Sequence, residues 1–510
     1  MKFSFAFGAR LCVSLLLVSL LQEGSLASPG NLSLQGTKNL QIDGVSSSNS
    51  VTVDRAGNVY VAGMAIRLPN GGDPEPGDAF VAKYSKGGSL LWKQVLSTAG
   101  LDNALGIAVD PLGNVYVSGT TDGALGSAPV GGRDAFIVKY DTGGTLLWKK
   151  QLGTSALDSA FGIALDGKGN AYIAGVTFGD IGAKNAGASD AWVAKYDPEG
   201  NLRWIKQWGS AGADSATAVA IAPNGDALIA GQTEGSVGSA GINNKNALLA
   251  RYNPRGELLW VEQISTPSTD GALGIVTDAA GNALVVGGTE GQLGSEQYGG
   301  EDAFVALYDS KGHLQWNKQL GTQLTDVANS VAIDQKGNVF IAGMTYGAFR
   351  GEQPDGKKPS GWVAKLNLGG SMLWLQQFAD APSRYLNGIA IDSDQNLRIA
   401  GSTFPIDGDE PQSAFLSSYA QSDSTVQPDT AQGTSFQSLE ELSNELTRNL
   451  LPRVSQSLSI DTIGGLPQPL FVCTGSQFNC GTYDCTTIHG CSNIFGCMSY
   501  SGLCYGCILY

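Results

Sequence analysis

Six tryptophans, Trp92, Trp148, Trp204, Trp260, Trp316 and Trp374, recur at steps of 56 residues, with a last step of 58. A fixed period in this range marks a solenoid or a propeller, because each unit buries its apolar surface only against its neighbours. Every unit carries four short runs in the same order. In the second unit they are Gly106–Asp110, Val115–Gly119, Asp134–Tyr140 and Leu146–Leu152, the last holding the tryptophan. Each run places β-branched or aromatic residues at period two between Gly, Asp and Asn, which predicts strands. Four antiparallel strands per unit make one propeller blade.

The blade number follows by counting. The first run ends at Asp54, Asp110, Asp166, Ala222, Asp278, Asp334 and Asp392. The third opens at Asp78, Asp134, Asp190, Asn246, Asp302, Ser360 and Ser413. Both series have seven members, whereas the tryptophan run has six, and its missing copy would follow Tyr419. An unpaired run, Leu32 to Leu40, precedes the first unit at the spacing a tryptophan run would have. It is expected to complete the seventh blade and leave no open sheet edge at the seam. The expected fold is all-β: a seven-bladed β-propeller of four-stranded blades over residues 31–419, closed by the N-terminal strand. Seventy glycines and 15% charged residues suit many short strands joined by tight turns.

The recurring signature is Asp-x-x-Gly-Asn-Val-Tyr-Val-Ala-Gly, then Asp-Ala-Phe-Val-Ala-Lys-Tyr, then Asp-x-x-Gly-x-Leu-Leu-Trp. In these motifs the chain resembles the SBBP-type bacterial β-propeller repeat proteins. The resemblance implies a propeller in an exported or surface protein and implies no particular reaction. The sixth and seventh units depart from the signature, with Gly361-Trp362 replacing Ala-Phe and Ser413 replacing Asp.

The flanks read differently. Residues 1–27 have the form of a secretion signal: Lys2 and Arg10, an apolar core Leu11 to Leu21, and the small-residue site Ser25-Leu26-Ala27. That core is too short to span a bilayer, and no other stretch is long and apolar enough. Export to the periplasm, the cell surface or the medium is expected. After the propeller, residues 420–434 form a polar linker. Residues 435–454 place Leu439, Leu442, Leu446 and Leu450 at helical spacing, predicting a short amphipathic helix ended near Pro452.

Residues 455–510 form a Cys-rich tail holding Cys473, Cys480, Cys485, Cys491, Cys497, Cys504 and Cys507. In an exported chain such a cluster suggests disulfides, and an odd count leaves one thiol free or paired with another chain. Zinc has one C-x-x-C pair, Cys504 to Cys507, in its favour. The double glycine Gly464-Gly465 before a Cys-, Ser- and Thr-rich end also has the form of a modified-peptide precursor.

Few residues offer chemistry. The net charge of −15 without a basic run argues against nucleic acid. The chain has two histidines, His313 in a turn and His489 in the tail, and no H-E-x-x-H, G-x-S-x-G or P-loop pattern. A tryptophan in every repeat can dock a planar cofactor, but identical service in every blade points to packing between blades. The Asp-x-x-Gly-Asn motifs fit hairpin turns.

Asp102, Asp158, Asp214, Asp270 and Asp326 form a further series at steps of 56, which Arg384 interrupts in the last unit. They are expected at the blade end that also carries Asp78, Asp134, Asp190 and Asp302. Such rings could hold a cation, with calcium the natural choice for carboxylates, or each Asp could cap backbone N–H groups locally. The loops between second and third strands, such as Met64 to Gly77 and Met344 to Pro359, vary while the blades do not, which suits partner recognition. The expectation is a non-catalytic binding or structural scaffold for a protein or glycan ligand, without a resident cofactor. The rival is a propeller hydrolase or lyase with a carboxylate-lined pocket at the channel mouth.

Overall fold

Alternation of apolar and small residues makes every run a strand, and the computed structural model shows how they stack. It describes residues 32–40, 45–67, 76–125, 130–237, 244–294, 297–349, 358–378, 383–404 and 412–421. Three short strands are described in the tail. The expected helix at 435–454, the signal segment and most of the Cys-rich tail lie outside the described residues. Seven four-stranded antiparallel sheets form the propeller.

In blade 2 the strands are Asp102–Val109, Val115–Thr121, Asp134–Tyr140 and Leu146–Leu152, from the channel outward. The first strands of successive blades touch one another, including Val45–Val53 of blade 1 and Ser383–Ile391 of blade 7, so the ring closes. The two middle strands of blade 2 are buried along their whole length, and the outermost is largely exposed. Blade 7 takes its outermost strand, Leu32–Asn39, from the N-terminal side, paired with Ser413–Gln421.

The Asp-x-x-Gly-Asn motifs are self-satisfied turns. Asp110 Oδ1 accepts the N–H groups of Leu112 and Asn114, each at 2.9 Å, and Oδ2 accepts the Asn114 side-chain amide at 2.7 Å. Gly113 sits at φ 85°, a conformation costly for any residue with a Cβ.

The tryptophans lie between blades. The Trp148 indole N–H donates to the Pro198 carbonyl of blade 3 at 3.0 Å, and the Lys139 ammonium donates to the same oxygen at 2.9 Å. Lys139 also stands 4.8 Å from the centre of the Tyr116 ring. The indole lies flat on Gly200, where any Cβ would come within 2.8 Å of it. Trp92, Trp204, Trp260 and Trp316 make the same bond, to Thr142, Pro254, Ser310 and Leu368.

The described strands of the tail form a sheet of their own, Leu503–Tyr505 lying between Phe478–Asn479 and Met498–Tyr500.

Candidate binding site at the channel mouth

Both acidic series lie at one end of the blades. Asp102 pairs in register with Thr121, and Thr121 with Asp134, so the two carboxylates flank one threonine. Asp102, Asp158, Asp214, Asp270 and Asp326 are each the first residue of an innermost strand. Arg384 occupies the matching register in blade 7, opposite Thr403, and Ser46 does so in blade 1, opposite Ala65. The series therefore covers blades 2 to 6.

Each member is at most 1% exposed and bound to its own surroundings. Asp158 Oδ2 accepts the Thr154 N–H at 2.6 Å and its hydroxyl at 2.9 Å, and Oδ1 accepts the Thr177 hydroxyl at 2.5 Å. Its own N–H donates to the Arg133 carbonyl of the preceding blade at 2.7 Å. Asp102, Asp214, Asp270 and Asp326 accept the corresponding N–H groups of Thr98, Ser210, Thr266 and Thr322. Burial pushes all five carboxyls above their ordinary range, and threonine hydrogen bonds offset part of the shift. Asp326 reaches about 6.

The second series braces the loops. Asp134 Oδ2 accepts the Val130 N–H at 3.0 Å and the Gln151 amide at 2.7 Å, while Gln151 Oε1 accepts the Leu125 N–H. Asp190 with Gln207 and Asp302 with Gln319 do the same. Asp78 instead lies 3.6 Å from Arg67. Among the described residues no three His, Cys, Asp or Glu side chains converge so as to hold a metal.

The channel itself holds what sequence reasoning missed. Each innermost strand has a β-bulge that leaves one residue unpaired against the second strand, and that residue lines the channel. The seven are Asn49, Leu105, Phe161, Thr217, Leu273, Asn329 and Asn387. Asn329, Asn387 and Asn49 stand on adjacent blades. Each donates its amide to the carbonyl preceding the next bulge: Leu386, Ser48 and Ala104, at 3.0, 3.0 and 2.9 Å. Thr217 does likewise to Ala272 at 2.7 Å. Leu105, Phe161 and Leu273 supply apolar surface instead. A signal was there to be read: one variable residue between two mostly small ones, as in Ala104-Leu-Gly106 and Ala160-Phe-Gly162, once per repeat.

From this waist a cavity of about 600 Å³ opens toward the acidic end, on the side of blades 3 and 4. Its upper wall includes Phe178, Glu234 and Lys245. These occupy positions that repeat around the ring and change in chemistry between blades. Following the threonine of the second strand stand Asp122, Phe178, Glu234, Glu290 and Tyr346; preceding the third strand stand Arg133, Ser189, Lys245 and Glu301. Arg133 and Asp122 form a two-bonded ion pair at 2.7 and 3.2 Å. Glu301 is pushed upward by burial and then by Glu290. The opposite mouth has a smaller cavity, about 430 Å³, edged by the turns at Asp54, Asp334 and Asp392.

Other expected candidates fall elsewhere. His313 is in a turn, its side chain 72% exposed and 3.1 Å from Asp309. Of the variable loops, residues 68–75 and 350–357 lie outside the described residues, with Asp73, Glu75, Arg350, Glu352 and Lys357, and so does His489.

Comparison with known proteins agrees with this architecture. The family model of the SBBP β-propeller repeat matches residues 95–126, 147–182 and 315–350, so SBBP repeats are found at three places in the array. The regulatory protein FlaEY of Caulobacter vibrioides is 28% identical over 212 residues, covering 38% of this chain and 22% of that protein. An uncharacterised WD repeat-containing protein, L264, of Acanthamoeba polyphaga mimivirus is 24% identical over 391 residues, covering 64% of this chain and 26% of that protein. The chain thus spans about a quarter of the length of these relatives.

Solved structures of similar fold include the Pan2 WD40 domain of Neurospora crassa, at 8% identity and a TM-score of 0.44. Another is YCF48 bound to D1 peptide, at 12% identity and 0.43. Each alignment covers 78% of this chain and 98% of the other. At these scores the likeness carries no argument about function. The chain is a β-propeller repeat scaffold, consistent with a binding or structural role, and no described helix is long and apolar enough to cross a membrane.

Proposed function

We propose that the protein is an exported, non-catalytic propeller that holds a protein or glycan partner on the face bearing the acidic blade ends, with its tail joined by disulfides. One observation carries the binding face. Positions that build the blades repeat their chemistry, whereas the equivalent positions around this mouth change from Asp122 to Phe178 to Glu234. A scaffold that only filled space would have no use for that variation on one face. The rival hydrolase or lyase would draw on carboxylates such as Asp214, but the Ser210 N–H and hydroxyl hold that group at 1% exposure. Calcium would have to displace such bonds, so the proposal includes no cofactor.

The test uses full-length, fluorescently labelled protein and the surface of the cells that export it. Surface binding should be lost in the triple variant Phe178→Ala, Glu234→Ala, Lys245→Ala and kept in an outer-rim control, Leu90→Ser with Leu91→Ser. Equal binding by both variants defeats the proposed face. Intact mass of the exported protein checks the rest: cleavage after Ala27, and two mass units lost per disulfide in the tail.

A further inference from the structure

The waist of the channel is two-sided. On one arc stand the side-chain amides of Asn329, Asn387 and Asn49, each spending an N–H on a backbone carbonyl of the next blade. That bond fixes the amide plane; Asn49 Oδ1 accepts the Ser47 hydroxyl at 3.4 Å, and the Oδ1 atoms of Asn329 and Asn387 have no donor among the described residues and stand ready to accept from a ligand. On the other arc Leu105, Phe161 and Leu273 present half-buried apolar surface, with the Thr217 hydroxyl between them spent on backbone. No charged side chain belongs to the waist, and the cavity above it, about 600 Å³, is of small-ligand size.

We propose that this channel binds a neutral saccharide, one sugar ring lying with its C–H face on Phe161 and its neighbours and its hydroxyls donating to the asparagine arc. The inference rests on the binding role proposed above and names its ligand class. The match is chemical. A hydrocarbon would leave the amide oxygens of Asn329 and Asn387 desolvated and unpaired, which costs free energy at each. An ion would meet no opposite charge at the waist. A sugar ring offers a C–H face and donor hydroxyls within one compact unit, so both arcs are satisfied at one level of the channel. Aromatic faces supply contact area at low entropic cost, and a site built around hydroxyl donors discriminates strongly against analogues that lack them.

The experiment is saturation-transfer NMR on the full-length protein with cellobiose, maltose and N,N′-diacetylchitobiose, and a capped Ala-Leu-Ala peptide for comparison. The variants are Phe161→Asn and Asn387→Leu. Blades 6 and 2 carry those residues at the same bulge, so the fold tolerates them, and unchanged thermal unfolding confirms it. At least one disaccharide should bind, and each variant should weaken it by about tenfold or more.

Binding that survives both variants, binding of the peptide alone, or no binding of any probe overturns the proposal. Sugar binding lost only in the Phe178, Glu234 and Lys245 variant would also overturn it, while leaving the binding face itself standing.

Discussion

The five junctions from blade 1 to blade 6 and the two around blade 7 are held by different means. At the regular junctions an indole N–H reaches a carbonyl in the next blade's outer turn, and the ring lies on a glycine of that turn. At three of them a lysine shares the same oxygen. Blade 7 breaks this on both sides. It has no turn between third and fourth strands, because its fourth strand arrives from the N-terminal side, so the Trp374 N–H finds no described acceptor.

On the other side Gly36 stands in register where the tryptophan would be, opposite Ser418 as Trp148 is opposite Lys139. Charge replaces aromatic surface there. Lys38 donates to the Gly88 carbonyl, Arg398 reaches the Lys86 carbonyl at 3.2 Å while pairing with Asp392 at 2.7 Å, and Lys86 meets Asp394. Regular junctions thus join blades that are neighbours in sequence, whereas the sheet at the closing one pairs strands over 370 residues apart.

The largest effect should come from removing the closing strand. Deleting residues 28–39 exposes the edge of Ser413–Gln421 and forfeits the ladder that joins the chain ends. Edge exposure invites association, and blade 7 loses its outer cover. The thermal midpoint should fall by about 10 °C or more, with concentration-dependent oligomers on size exclusion. A monomer melting as the parent does would show that closure contributes nothing.

Next in size is a matched pair of substitutions. Trp148→Ala removes a wedge of aromatic packing and its hydrogen bond, at about 3 kcal/mol. Trp374→Ala removes packing alone and should cost about 1 kcal/mol less. Chemical denaturation midpoints measure both. Equal losses would mean that the shared carbonyl is irrelevant and that only the indole area counts.

The junctions also differ in proton chemistry, since the buried carboxylates of blades 2 to 6 become Ser46 and Arg384 beside the seam. Burial raises Asp326 to about 6, above its value in an unfolded chain. The folded state holds that proton more tightly, so the stability it contributes at low pH is lost as pH rises from about 4 to about 6. Asp54 and Asp392 run the opposite way. Hydrogen bonds hold them low despite the opposing desolvation, so their contribution is lost as pH falls. In Asp326→Asn the first dependence disappears. The variant's stability relative to the parent should climb between pH 4 and pH 7, by about 1 kcal/mol or more, and be flat above. A constant difference across that window would contradict the raised carboxyl.

These contrasts show what the sequence made legible. Period and blade count were readable because Trp, Gly and Asp recur wherever backbone geometry demands them, and the closing strand was readable from its spacing to Asp54. The waist was not. Its residues pair with nothing on the second strand of their own blade, so no repeated residue type is imposed there, and Phe161 and Asn387 look like noise within an otherwise regular alternation. The bulge that turns them inward is a register property, visible only once two strands are paired. The acidic series was legible as a series but not as a buried one, since Thr177 and Thr154 reach Asp158 from different strands and loops.

The smallest effect tests whether the seam could have been built like the rest. A Cβ on Gly36 would meet nothing within 4 Å, and the position already has the tryptophan register. Gly36→Trp therefore has room for an indole to lie over Gly88, at φ 80°, where the Lys38 stem now sits. The gain combines higher strand propensity with aromatic cover and loses part of the Lys38 contact, about 1 kcal/mol of net stabilisation. It should appear as a higher denaturation midpoint and slower hydrogen exchange along Leu32–Asn39. Adding salt should then weaken the parent's seam more than the variant's, because charge pairs are screened and an indole is not. If Gly36→Trp destabilises instead, the glycine is required by the way the strand enters the seam, and the ionic clamp is a consequence of closure rather than a substitute for tryptophan.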